Sequence, residues 1–315
     1  MIGPEPILDG PEPLAEQLSG LVSPDTAVRG HEPLARRTTL RVGGPADLYV
    51  EPADEKDLET VVKFCRRLAL PLFVLGRGSN LLIRDGGFRG VMVCLNHPAF
   101  CGIEVLPPLL NCGAGARLKA VAVEAKRHGL SGLEFLEGIP GVVGGALRMN
   151  AGAMGGAIFD AVESVRLMDG EGTVQVSPGA ELGAVYRNCA ALKTQIALGA
   201  VLRGRPAPPE QIEERMNQFS QRRWGSQPAA PSAGCAFKNP KAMPAGQLIE
   251  ELGLKGRRVG GASVSLEHGN FIVNDGGATA RDILDLMALI RERARAERGI
   301  ELESEVEIIG NETEH

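Results

Sequence analysis

An α+β protein built from more than one domain is the fold class the sequence predicts, and three observations predict it. The chain has 315 residues, more than a single hydrophobic core of ordinary size accommodates. Apolar runs of strand length alternate with stretches of helical periodicity, and twice such an α/β stretch ends in a glycine-rich loop. Finally, Arg205-Pro206-Ala207-Pro208-Pro209 cannot continue a helix or a central strand, which makes it the best linker in the chain.

Residues 1–25 are rich in proline and acidic groups and read as a loosely held lead-in. The run 47–50 (Asp-Leu-Tyr-Val) has strand character, and Leu58, Val61, Val62, Cys65 and Leu68 then recur at helical spacing. A short buried strand is expected at 72–75, running straight into Gly76-Arg77-Gly78-Ser79-Asn80; strand ends of this kind are where α/β folds place ligands. A second stretch holds a helix near 116–128 and strands at 162–168 and 197–202. The main domain boundary is expected at the proline linker. Beyond it the pattern predicts helices at about 209–223 and 245–252 and strands near 262–265 and 270–274. The last helix has the clearest signature: Thr279 with Asp282 forms a capping-box pattern, and Ile283, Leu286, Met287 and Ile290 make one apolar face. Residues 304–309 read as a closing strand.

Composition narrows the function. A net charge of −5 with few aromatics leaves no basic footprint for nucleic acid. No apolar run approaches the ~18 residues of a membrane span, and the start Met1-Ile2-Gly3-Pro4-Glu5-Pro6 has neither a basic nor an apolar leader region, so the expected location is the cytoplasm. The cysteines at 65, 94, 101, 112, 189 and 235 contain no Cys-x-x-Cys pair, which disfavours zinc and disulfide frameworks; no metal is expected.

The most informative segment runs from Gly132 to Gly156, where eight glycines stand among small apolar residues with almost no charge. Glycine lets a ligand approach the main chain closely, so the segment suits peptide N–H groups turned toward a phosphate; tight turns in a densely packed sheet are the alternative. The earlier Gly76-Arg77-Gly78-Ser79-Asn80 begins like a dinucleotide fingerprint, but Leu81 follows where that motif needs glycine, and no phosphate-binding lysine follows either loop. Two such loops some sixty residues apart could cradle the two ends of one extended dinucleotide. By default Cys235 would be a small inert hydrophobe, and Arg187 and Glu305 would be surface charges.

Together and in this order the segments resemble the family of UDP-N-acetylenolpyruvoylglucosamine reductases. The resemblance runs from about Thr38 to Gly310, through the loop 76–80, Gly138-Ile139-Pro140-Gly141-Val142-Val143-Gly144-Gly145, Met149-Asn150-Ala151-Gly152-Ala153, Tyr186-Arg187-Asn188, Gly234-Cys235-Ala236-Phe237-Lys238-Asn239-Pro240, Gly260-Gly261-Ala262 and Glu305-Val306-Glu307-Ile308-Ile309-Gly310. It implies a two-part FAD-binding domain of the vanillyl-alcohol-oxidase type at 26–205 (parts about 26–96 and 97–205), an α/β substrate domain at 206–300, and a C-terminal strand at 301–315 returning to the active site. It further implies non-covalent FAD held by Gly76, Arg77, Gly78, Ser79, Asn80, Gly138, Ile139, Pro140, Gly141, Gly144, Gly145, Asn150, Ala151 and Gly152. The partners implied are small molecules, UDP-N-acetylglucosamine enolpyruvate and NADPH, acting on a monomer.

In that family hydride reaches the enolpyruvyl C3 and a proton must follow at C2. Arg187 matches the arginine at the substrate carboxylate, where a guanidinium fork stabilises developing charge. Glu305 matches a glutamate that helps only if protonated, so a raised pKa is expected. Cys235 stands where many members carry a proton-donating serine, and a thiol can perform the same transfer. Lys238 and Asn239 fall in the substrate region. Two positions depart from the family: Ser226 stands where a diphosphate-binding lysine is usual, leaving Arg222 or Arg223 to supply that charge, and Met154 replaces a tyrosine. The long insertion of one branch, which carries a substrate-closing tyrosine, is missing. Another flavin oxidoreductase of the same fold, or a non-catalytic sugar-nucleotide binder, are the competing readings; the retained arginine, acidic donor and glutamate speak against the second.

Overall fold

The computed structural model describes residues 10–313. Its first part opens with α1 (Pro11–Ser19), followed by β1 (Ala27–Pro33), β2 (Pro45–Glu51), α2 (Glu55–Arg67), β3 (Leu72–Val74), β4 (Leu81–Ile83) and β5 (Phe88–Val93). Four of these strands form a sheet in the order β1-β2-β5-β3, in which β5 runs parallel to both β2 and β3. The apolar face of α2, with Leu58, Val61, Val62 and Cys65, packs on Leu48, Val50, Val91 and Val93, as the helical spacing predicts. Asp54 caps this helix by accepting from the Asp57 amide.

The lead-in is not loose over its described residues. Leu18 of α1 is fully buried, and Asp57 accepts hydrogen bonds from the Ser23 amide at 3.0 Å, the Ser23 hydroxyl and the Thr26 hydroxyl. A buried carboxylate this well served fixes the chain that serves it. Residues 1–9 lie outside the described residues.

The middle part is an antiparallel five-stranded sheet made by β6 (Ile103–Leu106), β7 (Leu109–Gly113), β8 (Val162–Met168), β9 (Val174–Pro178) and β10 (Ile196–Arg203), in the order β9-β8-β10-β7-β6. Helices α3 (Leu118–Arg127) and α4 (Val143–Arg148) pack on it, and Leu110, Leu118, Val121, Leu147, Val165 and Leu202 share its core.

The expected boundary at the proline linker falls one helix too early. Arg205 and Pro206 pair with Ser131 and Leu130, and α5 (Pro209–Ser226) buries Ile212 and Met216 in the same middle core. The prolines do stop the strand, but Pro209 then sits at the first position of α5, where proline is favoured. The helix folds back instead of leaving.

The third part contains β11 (Ser232–Cys235), α6 (Ala245–Glu251), β12 (Arg258–Val259), β13 (Ala262–Val264), β14 (Phe271–Asn274), α7 (Ala280–Arg298) and β15 (Glu307–Ile309). Its sheet is ordered β11-β14-β13-β12. Thr279 and Asp282 complete the predicted capping box on α7, whose face of Ile283, Leu286, Met287 and Ile290 is buried. β15 pairs in parallel with β4 of the first part, Glu307 opposite Leu81. Because side chains alternate along a strand, β4 sends Leu82 into the third core and Leu81 and Ile83 into a second, smaller cluster of the first part with Tyr49, Leu75 and Met92. One three-residue strand thus ties the two ends of the chain together.

Candidate active site

A cavity of about 410 Å³ opens between the first and middle parts. The end of β3 supplies Val74, Leu75, Gly76 and Arg77, α4 supplies Gly144, Gly145 and Arg148, and β10 supplies Ile196 and Ala197. Of the fourteen residues expected at a cofactor, Gly76, Arg77, Gly144 and Gly145 line this space. A Cβ built on Gly145 would meet only Val142 Cγ2 at 3.9 Å, so any longer side chain would grow into open space there. The wall mixes glycine main chain and apolar side chains with the cations Arg77, Arg117 and Arg148, a surface suited to a flat ring system and to phosphates.

The other ten expected residues are not part of this lining. Gly78 has φ +59°, and a Cβ there would lie 2.7 Å from the Arg37 carbonyl oxygen, so glycine is required to seat the loop against residues 37–38. The Asn80 side-chain amide donates to the Glu305 carbonyl at 3.1 Å. Gly141 receives the Leu118 amide at 3.2 Å, joining the run Gly138-Ile139-Pro140 to the start of α3. Asn150 bridges two loops, accepting from the Phe159 amide and donating to the Val185 carbonyl at 3.1 Å, while Ala151 is buried and Gly152 pairs with Ala157. Sequence reasoning missed the walls at 94–96 and 114–117. The run Gly113-Ala114-Gly115-Ala116 before the predicted helix was the available signal for the second.

The three residues expected to do chemistry come together from three segments. Arg187 sits in a two-residue reversal between Val185 and Asn188, whose main chains exchange hydrogen bonds of 2.8 and 3.1 Å, and its φ is +56°. Its Nε lies 2.7 Å from Glu305 Oε1. The N–H does not point along that line, so the contact is an ion pair and the donor is left free of a hydrogen bond. Glu305 is 9% exposed, and burial raises its carboxyl pKa above the ordinary range although Arg187 opposes the shift. Cys235 ends β11 opposite Phe271. Burial, with the neighbouring Glu305 charge, pushes its thiol up to about 12. The cluster thus brings together a guanidinium, a carboxyl group whose pKa burial raises, and a thiol whose pKa burial raises to about 12.

The expected substrate residues are distributed differently. Lys238 Nζ lies 3.1 Å from Glu303 and also acts electrostatically on Glu305. Asn239 is not free to face a ligand with its side-chain oxygen, which accepts the Ala245 amide at 3.0 Å at the start of α6. Arg222 and Arg223 lie in the last turns of α5, where burial lowers the Arg223 pKa and Glu137 opposes that shift. Among the described residues no helix is long and apolar enough to cross a membrane.

Two family models match the chain: an FAD binding domain over residues 46–196, and the C-terminal domain of UDP-N-acetylenolpyruvoylglucosamine reductase over residues 227–309. The second begins just after α5, where the middle core ends. A UDP-N-acetylenolpyruvoylglucosamine reductase of Geotalea uraniireducens is 44% identical over 285 residues, covering 90% of this chain and 94% of that relative. A second, from Symbiobacterium thermophilum, is 43% identical over 302 residues and covers 95% and 97%. The crystal structure of UDP-N-acetylenolpyruvylglucosamine reductase from Thermus caldophilus superposes with a TM-score of 0.77 at 41% identity, covering 90% of this chain and 98% of that one.

Proposed function

The chain belongs to the family of UDP-N-acetylenolpyruvoylglucosamine reductases, and on that premise we propose that it reduces UDP-N-acetylglucosamine enolpyruvate to UDP-N-acetylmuramate with NADPH, through FAD held non-covalently in the cavity. The residues fit that cofactor. The cavity is of ligand size, its wall stays open at Gly145, and the first glycine loop contains no histidine for covalent attachment. When bound, FAD supplies two-electron chemistry, taking a hydride from NADPH and returning it to the enolpyruvyl C3.

The chain's own residues then have two tasks, to hold the substrate carboxylate and to protonate C2. Arg187 has a guanidinium with one N–H left free of a hydrogen bond, and its planar fork matches a carboxylate. Glu305, protonated, donates a hydrogen bond to the charge that builds on that carboxylate. Cys235 gives its thiol proton to C2, a centre far more basic than a thiolate of pKa about 12. Hydride at C3 and proton at C2 balance the reaction and leave NADP⁺. The 2.7 Å approach of Arg187 to a buried Glu305, with Cys235 coupled to both, carries this reading. Lys238 and the arginines of α5 are the cations we assign to the nucleotide diphosphate. The product feeds peptidoglycan precursor synthesis in the cytoplasm, by an enzyme working as a monomer.

The experiment is direct. The purified protein should be yellow, release FAD on acid precipitation, bleach under anaerobic NADPH and regain its colour on adding the enolpyruvyl sugar nucleotide. A colourless protein that FAD cannot reconstitute overturns the proposal. A reduced flavin that only oxygen reoxidises points instead to an oxidase of the same fold.

A further inference from the structure

Resting on that reading, we propose that Arg148 is a positioning residue that locks Glu305 and Arg187 into register with the cofactor cavity. Arg148 ends α4 and lines the cavity, with its guanidinium 4.9 Å from the Phe73 ring centroid. From there it reaches both catalytic segments.

Toward the C-terminal strand, Arg148 Nη2 and Nε donate to the two carboxylate oxygens of Glu307 at 2.9 and 3.3 Å. Lys193 Nζ adds a second cation 3.0 Å from Glu307 Oε1. Glu307 opens β15 and stands two residues after Glu305, so holding Glu307 holds the start of the strand to which Glu305 is tied by a single intervening residue. The strand's opposite flank is held by Asn80, which accepts the Glu307 amide at 3.0 Å and donates to the Glu305 carbonyl. Backbone pairing fixes the height of Glu305, and the Arg148 fork fixes which way the strand is rolled.

Toward the Arg187 reversal, the Arg148 carbonyl accepts the Cys189 amide at 3.1 Å, and its Nη1 donates to the Leu192 carbonyl at 2.6 Å. The same residue therefore holds the segment that follows Arg187, through its main-chain carbonyl at Cys189 and its guanidinium at Leu192, and through the guanidinium also the strand that Glu305 precedes. Arg148 and Glu307 are both part-buried, so their pairing is screened less than a surface ion pair would be.

The test is a double-mutant cycle in the holoenzyme with Arg148→Met, Glu307→Gln and the pair, with each half-reaction followed separately at the flavin absorbance. Arg148→Met keeps a long unbranched apolar side chain in the same place and removes the guanidinium, both its fork on Glu307 and its contact with the Phe73 ring. In variants saturated with FAD, reoxidation by the enolpyruvyl sugar nucleotide should slow at least ~10-fold in kcat and by a clearly larger factor than flavin reduction by NADPH, and the double variant should be no slower than the slower single. A crystal structure of Arg148→Met gives a second readout, in which the Arg187–Glu305 contact should open beyond 4 Å. The proposal is overturned if reoxidation stays within twofold, if both half-reactions slow together, if the single losses multiply, or if the contact stays closed. If the wild-type reduced flavin is not reoxidised by the enolpyruvyl sugar at all, the functional reading fails, and the crystallographic separation alone decides the positioning role.

Discussion

The cofactor cavity and the Arg187–Cys235–Glu305 cluster are built by opposite means. The cavity is walled by glycine main chain, apolar side chains and three arginines drawn from a span of the chain between Val74 and Ala197. The cluster is made of side chains from the middle part and from two segments of the third part, β11 and the residues before β15, so it exists only when those two parts are docked. The difference teaches where each half of the chemistry is vulnerable. On the proposed function, cofactor binding depends on the cavity wall and substrate reduction on where three side chains are held. Variants should therefore split the two half-reactions cleanly.

The largest break is expected at Cys235. Cys235→Ala should slow substrate reduction by at least the ~10²-fold typical of a lost general acid, with flavin reduction by NADPH almost unchanged. Cys235→Ser should keep substantial activity. With its pKa raised to about 12, the thiol stays protonated through the neutral range, so alkylation should be slow. The pH dependence of substrate reduction then belongs to Glu305: the rate should fall as pH rises through its raised pKa, because only the protonated carboxyl donates. Single-turnover mixing of reduced enzyme with substrate across pH measures both. Full turnover by Cys235→Ala would assign the C2 proton to another donor.

Arg187→Lys is the next largest. It keeps the charge and loses the bidentate fork, which is worth roughly 1.5–3 kcal/mol in a charge-assisted pair and so about 10- to 100-fold in substrate reduction. Equal slowing of flavin reduction would place Arg187 at the nicotinamide and undo the division of labour.

Much of this architecture is legible in the sequence where local physics decides. Helices α2 and α7 announce themselves because their apolar faces and capping residues, Asp54 and Thr279, lie within a few positions of each other. Helix α1 does not, since what holds it is burial of Leu18 and the distant carboxylate of Asp57. The domain boundary misleads for a related reason: proline breaks a strand and begins a helix equally well, and only the burial of Ile212 and Met216 tells which. At the site, the cluster is visible through ordered motifs and not through spacing. The Arg148–Glu307 pair spans 159 positions and leaves no local trace. The cavity walls at 94–96 escape because no glycine marks them.

The opposite side of the comparison is broken at Gly145. Gly145→Leu should improve the intrinsic helix propensity of α4, so folding is not the expected casualty. Its side chain must instead occupy the cavity, and an overpacked ligand site costs about 1–3 kcal/mol, weakening FAD at least about tenfold. Flavin stoichiometry after dialysis and a titration of the apoprotein measure this. Once saturated with FAD, the variant should retain substrate reduction far better than Cys235→Ala does. Tight FAD binding with a failed second half-reaction would mean that cavity and cluster are not separable.

The smallest effect on chemistry is expected at Asp57, which belongs to neither region. Its carboxylate serves the Ser23 amide and the Ser23 and Thr26 hydroxyls, hydrogen bonds that hold its pKa below the ordinary range against the opposing effect of burial, the largest single influence. A carboxylate with a lowered folded pKa contributes stability that is present above its unfolded pKa and lost as pH falls through the folded value. Asp57→Ala leaves those donors without a partner at a cost of about 1–3 kcal/mol, a drop of roughly 2–4 °C in Tm for each kcal/mol. Calorimetry at neutral and acid pH should show the wild-type advantage shrinking as the solution is acidified, while both half-reactions of the folded variant run at the wild-type rate. Asp57 anchors the lead-in to α2, and α2 packs on the sheet face formed by Leu48, Val50, Val91 and Val93. Slowed flavin reduction in Asp57→Ala would therefore mean that the first part transmits strain through β3 into the cavity wall, and that the wall is less self-contained than its local construction implies.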